Sequence, residues 1–219
     1  DFIIGQCPIA LKHITRPLFP SFDLDIAHSH IGNLPAPLGG AIYAKRKNVP
    51  FIITHHGDWI SGFGTLGRRA GVFLYNHFLC DRLFSKSDKI IALSKSHLTG
   101  SKVLKKYQNK TIIIPNGLNL QDFQIPQSQD KCRSILNLPA EKKIVLFLGS
   151  LVPQKGIQIL ISAMEAVQRR YPDTCLVVGG SGYLKENLIE TAMRSELKDN
   201  VVFTSYVPTN RTPLYYRAA

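Results

Sequence analysis

Two glycine-bearing turns, each closing an apolar run rich in β-branched residues, hold the most chemically suggestive side chains in this sequence. The run Ile144-Val145-Leu146-Phe147-Leu148 breaks at Gly149-Ser150, and Lys155-Gly156 follow before a helical pattern begins; Leu176-Val177-Val178 breaks at Gly179-Gly180-Ser181-Gly182. Glycines after a strand let the backbone approach a ligand closely, free amides at the next helix start attract an anion, and Lys155 adds a full charge at the same edge. That is phosphate-binding chemistry. Taken alone, these residues leave the ordinary alternative open: neither a P-loop nor a GxGxxG string is present, so Gly149 and Gly179 could simply turn the chain and Lys155 could be a solvated surface lysine.

Histidines form the second candidate group. A short strand is expected over 24–28 with His28-Ser29-His30 at its end, and a second from Phe51 to Thr54 runs into His55-His56-Gly57-Asp58. Parallel strands end on one side of a sheet, so the four imidazoles are expected in one cleft. Each taken singly is explained as a satisfied core or surface residue. Zinc needs three or four ligands in tetrahedral array, but adjacent His55 and His56 would point to opposite faces of a strand, and no HxHxDH or HExxH string occurs. No metal is expected.

The elements that must position these residues read as alternating strands and helices. Ile157, Leu160, Ile161, Met164 and Val167 recur at amphipathic-helix spacing, a further helix is expected through Leu184, Leu188, Ile189 and Met193, and a third strand over Val201 to Phe203. In the first half, a helix ends at Lys45-Arg46-Lys47, strands are expected over Lys89 to Leu93 and Thr111 to Ile114, and a serine at 94 or 96 caps the intervening helix. Asn116-Gly117 signals a turn. Successive β-loop-α units imply parallel sheets with ligand-binding loops at the carboxyl ends of the strands.

In order and spacing these motifs resemble the family-4 retaining glycosyltransferases, which have two facing Rossmann-like domains across a cleft (the GT-B fold). The string from Gly149 to Gly156, followed by Val177 to Gly182, is similar to the family's nucleotide-sugar half, where a glycine-arginine pair and a lysine-glycine pair hold the donor diphosphate. Lys155-Gly156 match, and Ser150 stands where that arginine is expected. Asp25 to His30 resembles the family's strand ending in HxH, Thr54-His55-His56 its threonine-x-histidine, Ile114 to Asn119 with Phe123 its PNG-V-D-x-x-x-F element, with Asn119 replacing aspartate, and Tyr206-Val207-Pro208 its segment beside the nucleotide base, with Ser205 in place of glycine. The resemblance implies transfer of a sugar from a nucleotide diphosphate sugar to an acceptor hydroxyl with retention. It implies His56 and Lys155 as catalytic, Ser150, Lys155, Ser181, Gly182 and Val207 as donor-binding, and His30, Asn116 and Gly117 as acceptor-side residues. It also implies no cofactor and no metal, and a glycan or lipid-linked acceptor.

Domain bounds are expected at 1–125 and 126–219. Both domains are read as incomplete, with the first strand lacking and no EX7E glutamate pair after Phe203, so a fragment inactive alone is expected. The 219 residues carry 27 Lys+Arg against 15 Asp+Glu, a formal charge of +12 that calls for an anionic partner. With Trp59, Phe63 and a basic, aromatic helix around Leu74 to Lys86, the N-terminal domain admits peripheral contact at the inner face of a membrane. A nucleic-acid partner would need the basic residues on one face; here they are spread over several helices, and none is expected. The remaining rival is a nucleotide-sugar-binding protein without catalysis, suggested by Ser150 together with the missing EX7E pair. Four separated cysteines without a CxxC pair read as free thiols, and with no signal peptide or membrane span in the sequence the expected location is cytoplasmic.

Overall fold

Where apolar residues alternate or recur at helical spacing, the computed structural model places strands and helices; it describes residues 2–4, 7–9, 23–31, 35–58, 66–195 and 197–219. The chain divides into two compact units, Asp1–Gly117 and Leu118–Ala219, each with its own parallel sheet.

In the first unit a short antiparallel pair, β1 (Phe2–Ile4) and β2 (Cys7–Ile9), precedes a four-stranded parallel sheet in the order β3 (Ala27–Ile31), β4 (Phe51–His55), β5 (Lys89–Ala92), β6 (Thr111–Ile113). Strand β3 starts three residues later than expected. Leu24 and Ile26 are exposed, whereas Ala27, Ser29 and Ile31 face inward, so small residues rather than large apolar ones mark the buried face. Helix α1 (Pro35–Lys47) lies so close to the sheet that a Cβ at Gly40 would come within 2.2 Å of Ser29 Oγ, and it ends in Lys45, Arg46 and Lys47, which suit its dipole. Helix α2 (Leu66–Leu74) continues through a π-helical turn at Tyr75–Leu79 into α3 (Cys80–Lys86), which buries Leu83 and Phe84 against Phe51, Ile53 and Ile90. The single helix expected after Leu93 is two, α4 (Lys95–Gly100) and α5 (Lys102–Lys106), because Ser94 and Ser101 each accept the amide that starts a new turn. Trp59 and Phe63 lie outside the described residues.

In the second unit β7 (Lys143–Leu148), β8 (Thr174–Gly179) and β9 (Val201–Thr204) form a parallel sheet whose central strand is buried throughout. Helix α6 (Gln129–Leu136) precedes it, and α7 (Ile157–Arg170) buries Ile157, Ile161 and Met164, the face its spacing predicts. Helices α8 (Lys185–Arg194) and α9 (Thr212–Ala218) complete the unit. Buried Arg133 on α6 donates to the carbonyls of Ala218 (2.8 Å) and Ala140, tying α6 to the end of α9. The stretch after Gly117, expected to close the first domain, lies with the second unit. Ile125 joins its core, and the Phe123 ring lies 5.9 Å from that of Tyr216. The turn expected at Asn116-Gly117 does not form: Gly117 lacks the positive φ that a tight Asn-Gly turn uses. Cys80, Cys132 and Cys175 are free and buried. No helix among the described residues is long and apolar enough to cross a membrane.

Candidate functional site

In the second unit the loops after the three strands are stitched to one another. Gly149 N donates to Gly179 O (3.0 Å), Leu151 N to Ser181 O (2.9 Å) and Gly180 N to Ser205 O (3.3 Å). Such contact is closed to any side chain at two positions: a Cβ at Gly180, whose φ is +146°, would fall 1.9 Å from Gly149 O, and one at Gly182 would fall 2.3 Å from Leu151 O. These glycines therefore serve first to let two loops meet, not to admit a ligand. What the stitching leaves over is the donor set: among the described residues the amides of Ser150, Ser181 and Gly182 make no hydrogen bond.

Beside them lies a depression of about 350 Å³ lined by residues 148–150, 179–181, Tyr206, Val207, Thr212 and Tyr216. It brings together Ser150, Ser181 and Val207. Gly182 and Lys155 are not in its lining. Lys155 ends a 3₁₀ turn (Pro153–Lys155) that Gly156 closes in the left-handed region at φ 67°; it is exposed and, among the described residues, has no ion-pair partner. Sequence reasoning missed Thr212 and Tyr216, which sit on α9 and carry no local signal, and passed over Tyr206 for its neighbour Val207. A wider depression of about 630 Å³ between Phe123–Pro126 and Pro213, Tyr216 and Arg217 has no strand-end backbone in its lining, so the smaller one is the candidate for phosphate chemistry.

In the first unit the histidines are not one group. His30 Nδ1 lies 2.8 Å from His56 Nε2 with the rings stacked at 5.1 Å, and His28 Nε2 lies 2.8 Å from Thr54 Oγ1 with its ring 4.8 Å from that of His30. His55 departs from the expected cluster. As the last residue of β4 it turns to the opposite face and is buried against Phe84 and His97, its Nδ1 3.0 Å from His97 Nε2. Burial pushes the His55 pKa down to about 4, with Asp58 opposing and His97 and His56 reinforcing the shift. Burial, then His30, then His97 lower His56, and burial followed by His30 lowers His28. His30 and His56 both meet solvent, their rings joined by one hydrogen bond. Among the described residues no group of three or more His, Cys, Asp or Glu is placed to hold a metal ion. Asn116 and Gly117 lie in an exposed segment and, among the described residues, make no hydrogen bond to these histidines.

Comparison with known proteins gives these sites their context. Residues 7–122 match the family described as Glycosyltransferase Family 4, and residues 128–219 that described as Glycosyl transferases group 1. The chain belongs to glycosyltransferase family 4, and its two Rossmann-like α/β units are of the GT-B type. It is 30% identical over 205 residues to an O-antigen chain mannosyltransferase C of Escherichia coli, covering 93% of this chain and 50% of that protein. It is 30% identical over 210 residues to an alpha-monoglucosyldiacylglycerol synthase of Streptococcus pneumoniae, covering 90% of this chain and 46% of that one. The chain thus spans about half the length of these curated relatives. Among solved structures, Anabaena HepE in complex with UDP shares the fold at a TM-score of 0.65 and 18% identity, over 94% of this chain and 53% of that one.

Proposed function

We propose that the protein moves a sugar from a nucleotide diphosphate sugar to an acceptor hydroxyl with retention of anomeric configuration. The observation that carries this reading is the depression at the carboxyl ends of β7 and β8, where the amides of Ser150 and Ser181 remain uncommitted beside Val207, Tyr206 and Tyr216. Amide donors suit phosphate oxygens, and the aromatic and apolar wall suits a nucleoside. Lys155 supplies the charge that the departing diphosphate requires, in the role a metal ion plays elsewhere, and no cofactor is needed. His56, held neutral, acts on the acceptor side as a hydrogen-bonding group in partnership with His30. The complex of HepE with UDP supports a nucleoside diphosphate as the donor's leaving group.

Calorimetry of UDP and GDP binding to the full-length protein, together with the anomeric configuration of the product by NMR, tests the reading. Failure to bind any nucleoside diphosphate refutes the donor, and an inverted product refutes retention. Lys155→Ala is expected to lower turnover by ~10²-fold, the cost typical of one preorganised charge-stabilising donor. Unchanged turnover removes Lys155 from the site.

The names of the two relatives, an O-antigen chain mannosyltransferase and an alpha-monoglucosyldiacylglycerol synthase, support a glycan or lipid-linked acceptor. A specific observation favours a membrane-surface acceptor. Leu66, Phe73, Leu74 and Phe78 are large, apolar and exposed along α2 and the π-turn, with exposed Arg69, Arg82 and Lys86 on the same helical segment. Basic residues beside aromatic anchors suit an anionic lipid surface. Sedimentation with anionic but not with neutral vesicles is the expected result, and equal sedimentation with neither refutes it.

A further inference from the structure

A line of hydrogen bonds crosses the first unit beneath the exposed histidines. The amide of Leu93 donates to His97 Nδ1 (3.3 Å), His97 Nε2 lies 3.0 Å from His55 Nδ1, and His55 Nε2 lies 3.3 Å from Asp58 Oδ1. Asp58 also accepts the Ser101 hydroxyl on Oδ1 (2.5 Å) and the Lys102 amide on Oδ2 (2.9 Å). The ends of the line fix its direction. A backbone amide can only donate, so His97 Nδ1 must carry the lone pair and Nε2 the proton; His97 then donates to His55 Nδ1, and His55 carries its own proton on Nε2, facing a carboxylate that can only accept. A cation on either ring would set two N–H groups against each other.

His55 and Asp58 are also the two ends of a short loop whose inner residues are His56 and Gly57. His55 is buried, and Asp58 is held to Ser101, the cap of α5, whose hydroxyl in turn accepts Leu104 N. Gly57, at φ +152° with open space where a Cβ would sit, supplies the unusual backbone that lets the chain pass between these anchors. The side chain that leaves the clamped loop on the other face is His56, 2.8 Å from His30.

We infer that His97, His55 and Asp58 form a directional brace that positions His56, so that the ordered protons on one buried and one half-buried ring fix the placement of the exposed one. These are positioning residues, acting through His56. The inference rests on the acceptor-side reading of His56 above.

Asp58→Asn in the full-length protein tests it. The amide keeps the shape of the carboxylate but offers one acceptor oxygen to three donors, and wherever its NH₂ faces His55 the proton of that ring must move to Nδ1, against His97. Histidine labelled with ¹⁵N reports the tautomers directly: both His55 and His97 are expected as Nε2–H in the wild type, and that order is expected to be lost in Asp58→Asn. Turnover is expected to fall on the order of tenfold in kcat through misplacement of His56, with KM for the donor nearly unchanged because the donor residues lie in the second unit. An Nδ1–H tautomer on either ring of the wild type overturns the brace, even if Asp58→Asn fails to fold. So does wild-type kcat in Asp58→Asn when His56→Ala is impaired. If His56→Ala itself turns over normally, the reading of His56 fails and the brace has nothing to position.

Discussion

The buried state of His55 makes a quantitative claim about acid stability. A histidine in the unfolded chain takes a proton as pH falls through its ordinary value of 6.5, whereas burial holds His55 neutral until about pH 4. The unfolded state therefore binds more protons throughout that interval. Stability from this group is intact above pH 6.5 and is lost as pH falls from 6.5 to 4, by a total of roughly 3 kcal/mol at ~1.36 kcal/mol per factor of ten. About 2.5 kcal/mol of that loss is complete by pH 4.5. The assay is urea unfolding of the wild type and His55→Phe across this range. His28 and His56, lowered for the same reason of burial, contribute with the same sign but are present in both proteins and cancel in the difference. At pH 7.5 the wild type is expected to be the more stable, because His55→Phe removes the ring that partners His97 Nε2 and Asp58 Oδ1. On acidification the gap should close by about the 2.5 kcal/mol just derived, or reverse. A gap that widens in acid would mean that His55 is charged and paired with Asp58, which contradicts the neutral chain of bonds. A gap that stays constant would mean that the ring does not titrate abnormally at all.

Two further outcomes follow from the strand-end loops. Ser150→Arg is expected to tighten nucleoside diphosphate binding in the full-length protein, since the side chain lines the depression and a guanidinium holds two phosphate oxygens at once; unchanged or weaker binding by calorimetry would place the diphosphate elsewhere. Gly180→Ala is expected to cost on the order of 3 kcal/mol or more in denaturant unfolding, because its Cβ would meet Gly149 O at 1.9 Å on a backbone at φ +146°, and a loss under 1 kcal/mol would show that the two loops part easily.

Legibility in the sequence followed periodicity and stopped where contacts are made across the fold. The inward face of α7 and the strands around Gly149 and Gly179 were readable because a large apolar residue at each buried position leaves a pattern. Strand β3 begins later than its large apolar residues suggest, because its buried face is Ala27, Ser29 and Ile31 while Leu24 and Ile26 are exposed. The break at Ser101 was invisible since a serine inside a helical pattern does not announce that it will cap a second helix and bind Asp58. His97 carried no signal. It stands in an ordinary short helix forty-two residues from the ring it contacts. Tyr216 reaches the depression only because Arg133 and the core around Tyr215 hold α9 in place.

The pair His55-His56 shows why adjacent identical residues need separate arguments. A strand sends consecutive side chains to opposite faces, so a single residue step at the end of β4 decides which imidazole meets Phe84 and which meets His30. Burial then makes the chemistry diverge: His55 loses access to a proton in the physiological range, while His56 keeps solvent and a hydrogen-bonded neighbour. The inward ring could not serve an acceptor, and the outward one could not anchor a loop. Placing both in one cleft treats histidine as a type, when what matters is which side of the pleat each occupies and whether an amide such as that of Leu93, which can only donate, dictates where the protons of the line must sit.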